Sequence, residues 1–222
     1  MKLITALLMS SLWAIPCIAS PEEANKEDIN NEEQATSGED SEYPSLQNRK
    51  GKTFAVLGEV GGGFIGSAGL NLDYFITEKD LLELYYVSGS FDLFAKVEYS
   101  LAGLVYQRFV GNSFYLRTGL VQRSIDFSEG VIAQALGSTS ELQSNATSMG
   151  LEFGIGNRWQ WDNFTLGCTW IGWFAPLSTS TKRTQIPSSA TQTEIDEFDS
   201  DLDKLGKAGH LQFLRLSMGV AF

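Results

Sequence analysis

The feature that most constrains this chain is a regular alternation of apolar residues with small or charged residues, which runs from Lys52 to the C-terminus. Alternation has the period of a β-strand, whose successive side chains point to opposite faces. No stretch of eighteen apolar residues occurs in this region, so a helical membrane protein is excluded. The region is therefore predicted to consist of β-strands.

Eight alternating runs are predicted strands, and most reach the roughly 9 to 11 residues that a tilted strand needs to cross a bilayer. They cover residues 53–63, 67–76, 81–89, 95–110, 113–127, 147–161, 164–177 and 210–222. Short links at 77–80, 111–112 and 162–163 alternate with connections that include the long segments 128–146 and 178–209. This organisation predicts an all-β fold, an eight-stranded antiparallel up-and-down transmembrane β-barrel.

Two of the short links are predicted to be two-residue hairpin turns, Gly111-Asn112 and Asp162-Asn163, because these residues tolerate positive φ. A two-residue turn places its flanking residues on the same face of the sheet. Phe109 is therefore expected beside Phe114, and Trp161 beside Phe164.

The two faces of the predicted strands differ in composition. In the last strand one face carries Leu214, Leu216, Met218, Val220 and Phe222, and the other carries Arg215, Ser217, Gly219 and Ala221. The polar face of the strands is mostly Gly, Ala and Ser, with isolated Arg and Glu and almost no Lys. A soluble barrel would instead turn a Lys-rich face to water, so the apolar face is predicted to meet lipid.

Eleven charged residues are expected on the lumenal face. They are Glu59, Asp73, Glu83, Lys96, Glu98, Arg108, Arg117, Arg123, Glu152, Arg158 and Arg215. The two signs nearly balance, which predicts a lumen plugged by ion pairs, because unpaired buried charges are costly. Arg123 is expected to pair with Glu98 or Glu152. A narrow gated ion channel is the alternative.

The N-terminal fifty residues form a separate region. Residues 1–19 have the basic start, apolar run and small-residue end of a cleaved signal peptide. Residues 20–50 are predicted to be a disordered acidic leader, since 21–50 hold nine acids, three bases and almost no apolar content. Residues 51–222 are the predicted barrel. The net charge of -11 argues against a nucleic-acid partner.

Region 51–222 resembles the small eight-stranded outer-membrane proteins of the OmpA transmembrane-domain and OmpX type. The last strand, ending at Phe222, is similar to the C-terminal signal by which the barrel assembly machinery recognises such proteins. The resemblance implies a porin-like protein that lies in the bacterial outer membrane, in contact with the lipid and lipopolysaccharide of that membrane. It also implies a periplasmic leader and periplasmic short turns, with the long loops outside.

No catalytic residue, metal site or cofactor is predicted. The alternative of an enzyme acting on envelope lipids needs a nucleophile with a base in reach, and the only histidine, His210, is expected at the rim. The acidic run at 194–203 lacks the Gly and Glu of a calcium-binding EF-hand and is predicted to be a solvated loop. The sequence therefore predicts a structural or surface-loop interaction role, with no identifiable loop ligand.

Overall fold

A computed structural model describes residues 44–62, 66–92, 96–129, 142–185 and 192–222. The predicted signal peptide and the leader as far as residue 43 lie outside the described residues. Within the described ranges, neither helix is long and apolar enough to cross a membrane.

The described chain forms a closed barrel of eight antiparallel strands. They are β1 (Phe54–Gly62), β2 (Ser67–Phe75), β3 (Asp80–Asp92), β4 (Lys96–Phe109), β5 (Phe114–Glu129), β6 (Leu142–Trp161), β7 (Phe164–Gln185) and β8 (His210–Ala221). Each strand pairs with the next, and Ala55 opposite Ala221 closes β1 onto β8. The predicted barrel and its strand count are confirmed.

Strand length differs around the barrel. Strands β1 and β2 have 9 residues each, whereas β6 has 20 and β7 has 22. The extra residues lie at the end of the barrel opposite the short links, which we call the long-loop end. The predicted loops 128–146 and 178–209 are therefore too long, because much of them is strand and Gln192–Lys207 is a helix.

The hairpin between β4 and β5 differs from its prediction. Phe109 pairs with Tyr115 and the Val110 amide donates to the Phe114 carbonyl at 3.0 Å, so three residues form the link rather than two. A one-residue change of register moves every side chain of a strand to the other face. Phe109 consequently packs on Tyr115, with ring centroids 6.0 Å apart, and not on Phe114.

The second predicted turn has the expected length. Trp161 pairs with Phe164 across Asp162-Asn163, and their rings stack with centroids 6.0 Å apart. Asp162 adopts a φ of 53°, the left-handed conformation that such a turn requires. These two turns and the link at 76–79 define the short-turn end of the barrel.

The outward face of every strand carries exposed large apolar side chains. One example from each of the eight strands is Phe54, Leu70, Leu84, Leu104, Leu116, Phe153, Phe164 and Leu216. The whole apolar face of β8 that the sequence singled out, from Leu214 to Phe222, points outward. Two bulges add further outward side chains: Trp170 is an extra residue of β7 relative to β6, and Leu214 is an extra residue of β8 relative to β1.

The lumen is filled in layers. Near the short-turn end lies an apolar cluster that includes Leu57, Leu81 and Phe109. A second apolar cluster, with Val87 and Phe174, lies nearer the long-loop end. Along β3 the charged Glu83 lies between residues of these two clusters, so the ionic groups form a middle layer.

Two helices lie at the barrel ends. Helix α1 (Pro44–Arg49) packs at the short-turn end, and helix α2 (Gln192–Lys207) packs against the inner side of β6 and β7 at the long-loop end. The disorder predicted for residues 20–50 is therefore wrong for the last residues of that segment. The solvated loop predicted at 194–203 is likewise helical.

Candidate functional site

Eight of the eleven predicted lumenal charges point into the barrel, and each is at most 5% exposed. They are Glu59, Asp73, Glu83, Arg117, Arg123, Glu152, Arg158 and Arg215. All lie on strands whose facing was assigned correctly from the alternation.

The other three predicted lumenal residues, Lys96, Glu98 and Arg108, lie on the outside. All three belong to β4, the strand whose register the three-residue link changes, so its inward face carries Leu101 and Val105 instead. Lys96 pairs with Glu98 at 2.6 Å, and Arg108 pairs with Asp80 at 3.2 Å. These are exposed ion pairs, and exposed pairs contribute little to stability.

Five charged residues form one continuous chain of ion pairs across the lumen. Glu152 Oε1 accepts a hydrogen bond from Arg215 Nη1 at 3.0 Å, and it also lies 3.0 Å from Arg117 Nη2 in a second ion pair. Arg117 Nη2 also lies 3.1 Å from Glu83, and Arg215 Nε donates to Glu59 at 2.6 Å. Because Glu152 joins both arginines, it is the centre of the network.

Neutral polar side chains donate further hydrogen bonds to these carboxylates. Tyr85 donates its hydroxyl to Glu152, Gln107 donates to Glu83, and Asn71 donates to Glu59 at 2.7 Å. Asp73 and Arg158 form a separate buried pair. These amides and Tyr85 were not predicted from the sequence, because a polar or aromatic residue at an alternate position does not by itself indicate a role in such a network.

Glycines on the lumenal wall make room for the larger groups. A Cβ at Gly103 would lie 2.7 Å from the Tyr85 ring, and one at Gly154 would lie 3.0 Å from the Arg117 side chain. The lumen retains a cavity of about 10 Å³ bordered by Glu59, Asn71, Glu83 and Gln107 among others, which is about the space of one water molecule. The interior is thus packed with side chains along the described strands.

Arg123 does not pair with Glu98 or Glu152, contrary to the expectation. Its guanidinium donates to three carbonyl groups at the C-terminal end of α2, those of Leu205, Gly206 and Ala208, at 3.2, 2.8 and 3.1 Å. Glu98 lies outside the barrel, and Glu152 is already occupied by two other arginines. Arg123 therefore holds α2 over the lumen.

His210 lies beside this clamp. Arg123 donates to His210 Nδ1 at 3.1 Å, and the Tyr99 hydroxyl and the Gln212 amide both lie 3.1 Å from Nε2. Within the described part of the chain, the imidazole thus has hydrogen-bond contacts with Arg123, Tyr99 and Gln212. Among the described residues, no group of three or more His, Cys, Asp or Glu side chains could hold a metal ion.

Arg49 closes the opposite end. It is 1% exposed, its Nε donates to the Glu78 carbonyl at 2.9 Å, and its Nη2 donates to the Asn112 carbonyl at 2.7 Å. Its Cζ lies 3.7 Å from the centroid of the Phe109 ring, a cation–π contact. Burial, with the nearby Arg158, lowers the pKa of Arg49 to about 9, so the side chain remains charged at neutral pH.

Helix α1 is fixed by more than Arg49. The amides of Ser45 and Leu46 donate to Asn112 Oδ1 at 2.8 and 3.2 Å, so a turn residue caps the helix N-terminus. Asn48 donates to the Gln160 carbonyl at 2.9 Å, near the second turn. Since Arg49 also reaches Glu78, this short helix binds two of the three links and the end of β6 beside the third.

Comparisons with known proteins concern the fold. No family model and no curated protein sequence matches the chain. The N-terminal β-barrel domain of Pseudomonas aeruginosa OprF is 15% identical, with a TM-score of 0.46, over 77% of this chain and 99% of that chain. Acinetobacter baumannii CarO2 is 14% identical, with a TM-score of 0.43, over 77% and 99%.

A third structure, Acinetobacter baumannii CarO, is 12% identical, with a TM-score of 0.38, over 76% of this chain and 96% of that chain. The chain is thus similar to these three solved structures at low identity, and its own strand pairing shows the eight-stranded closed barrel.

Proposed function

We propose that this chain is an integral protein of the bacterial outer membrane, with a sealed interior and a structural or surface-interaction role. The observation that carries the proposal is the inverted polarity of the barrel. Large apolar side chains cover the outside of all eight strands, while ion pairs occupy the inside. A water-soluble monomer rarely exposes an apolar patch above about 300 to 600 Å², and a belt around a whole barrel is the arrangement that lipid stabilises.

A sealed interior disfavours the two alternative functions. A conducting channel needs a continuous water-filled path, whereas buried side chains fill the inside of the described strands and the cavity among the ionic groups is about the size of one water molecule. Helices α1 and α2 also lie over its two ends. An enzyme acting on envelope lipids needs an accessible nucleophile beside a base, and His210 is occupied by Arg123, Tyr99 and Gln212.

The membrane location is tested by heat modifiability. We expect the protein in detergent or phospholipid to migrate as a compact band on a gel without boiling, and as a slower band after boiling, because a closed barrel resists the gel detergent. The compact form should also stay with the membrane pellet in sodium carbonate. A chain that remained soluble without detergent and ran at one position in both lanes would contradict the proposal.

We also infer an orientation, with the short-turn end and the N-terminal leader in the periplasm and the long-loop end outside. Proteinase K added to intact cells is expected to cut the links 130–141 and 186–191 and to spare the leader before Pro44. The same enzyme added to lysed cells should remove the leader. Cleavage of the leader in intact cells would reverse the orientation.

The partners implied by this placement are outer-membrane lipid and the barrel assembly machinery. The outward row Leu214, Leu216, Met218, Val220 and Phe222 on β8 supports the second proposal. These side chains are 45 to 61% exposed, so they are available to a protein that packs on the last strand.

A further inference from the structure

The outward face of β3 to β7 changes from apolar to polar within a few residues. Residues paired directly across these five strands form horizontal rows, and each row below is given in strand order. An apolar row consists of Leu84, Leu104, Leu120, Leu151 and Ala175. A mixed row above it consists of Tyr86, Ala102, Gln122, Met149 and Ser178.

The next two rows toward the long-loop end are polar. A hydroxyl row consists of Ser88, Ser100, Ser124, Thr147 and Ser180. The row above it consists of Ser90, Glu98, Asp126, Asn145 and Lys182. We call these two rows, together with Lys96, the polar band.

Hydrogen bonds across the strands order the groups of the polar band. Asn145 Nδ2 donates to Ser124 Oγ at 2.9 Å and to Asp126 Oδ1 at 2.6 Å. The Thr147 hydroxyl donates to Asn145 Oδ1 at 2.9 Å. The band is therefore a rigid surface of hydroxyl, amide and charged groups on a five-strand sheet.

We propose that the polar band binds the sugar and phosphate headgroup of a glycolipid in the outer leaflet, which rests on the proposed membrane location. The hydroxyl row lies four residues beyond the apolar row along each unbulged strand, which is about 13 Å of strand. This distance places the hydroxyl row outside the hydrocarbon core, at the level of the lipid headgroups. Its hydroxyl and amide groups can both donate to and accept from sugar hydroxyls.

The charges of the band fit the same occupant. Lys182 can approach phosphate groups, while the carboxylates of Glu98 and Asp126 are already bound to Lys96 and Asn145. The band is also confined to one side, because β1 ends at Gly62 and β2 begins at Ser67, close to the apolar belt. A glycolipid should therefore contact one half of the circumference.

The test compares heat unfolding on gels in phosphatidylethanolamine–phosphatidylglycerol vesicles, with and without added rough lipopolysaccharide. We expect lipopolysaccharide to raise the half-unfolding temperature of the natural chain. The combined variant Ser100→Ala, Ser124→Ala and Thr147→Val, which removes three hydroxyls of the band, should lose more than half of that increase. The control Thr118→Val removes an outward hydroxyl within the apolar belt and should keep the full increase.

A second variant tests the positive charge of Lys182 and leaves the hydrogen-bonded hydroxyl groups of the band unchanged. Lys182→Gln should reduce the increase at low salt, whereas Lys79→Gln, the same change at the short-turn end, should not. This inference alone would be overturned if lipopolysaccharide raised the half-unfolding temperature equally in all variants. It would also be overturned if the natural chain folded in the plain vesicles and lipopolysaccharide did not raise its half-unfolding temperature. Failure of the natural chain to insert into plain vesicles would overturn the membrane location and this inference with it.

Discussion

The variant Glu152→Ala is expected to destabilise the barrel by about 3 to 5 kcal/mol, because removing one partner of a buried ion pair leaves the other charge uncompensated. Here two guanidinium groups are affected, since both Arg117 and Arg215 form ion pairs with Glu152 at 3.0 Å. Tyr85 would lose its acceptor as well. The free energy of unfolding in urea, measured on the folded protein in micelles, gives the loss.

Glu98→Ala is the matched control for this variant. It removes the same charge from the neighbouring part of the sheet, but Glu98 lies outside the lumen in an exposed pair with Lys96. An exposed pair contributes at most about 1 kcal/mol. Equal small losses for both variants would show that the lumenal network does not stabilise the fold.

A double-mutant cycle would separate the network from simple burial. Glu152→Ala and Arg215→Ala each leave a buried partner without its counter-charge, so the double variant should be less destabilised than the sum of the two. Strict additivity would mean that the two residues act independently, against their direct contact.

The strand facing predicted from the sequence was correct wherever the predicted turn length was correct. Around Asp162-Asn163 the predicted two-residue turn was correct, and the composition of the two faces of β6 placed Glu152 and Arg158 in the lumen with the right facing. Alternation determines which residues share a face, but only the turn connects the faces of neighbouring strands.

Strand β4 shows what the pattern cannot decide. Both of its faces carry large apolar residues, such as Leu104 outside and Val105 inside, so composition did not identify the lipid-facing side. The facing then depended on one extra residue in the link after Gly111. That residue accounts for all three misplaced charges and for the incorrect pairing of Arg123 with Glu98.

The two helices at the barrel ends were missed for different reasons. Helix α1 has only 6 residues and is held by turn residues distant in sequence, so no local pattern indicates it. Helix α2 does carry a signal, because Ile195, Phe198, Leu202 and Leu205 have helical spacing within the acidic run. In the structure Leu202 is buried, in agreement with that spacing.

Because α2 is attached through its C-terminal carbonyls, Arg123→Ala is expected to release it from the lumen. Hydrogen bonds to a charged group contribute about 1.5 to 3 kcal/mol, and a cation at a helix C-terminus adds up to about 2 kcal/mol. The guanidinium bonds to Leu205, Gly206 and Ala208 and also lies 4.9 Å from the Phe174 ring. We therefore expect the local free energy of opening to fall by about 3 kcal/mol.

The lower free energy of opening should appear as faster cleavage within 192–207 when the folded protein in micelles is treated with a protease. The cleavage rate should rise by roughly 100-fold if opening precedes cleavage. Arg123→Lys should give an intermediate rate, because one ammonium group cannot reproduce the planar fork that reaches three carbonyls. Lys207→Gln removes a positive charge from the last turn of the same helix, but its pair with Asp203 is exposed, so cleavage should change by no more than about twofold. If Lys207→Gln accelerated cleavage as much as Arg123→Ala, charge near the helix end would explain the effect, and the specific clamp by Arg123 would be excluded.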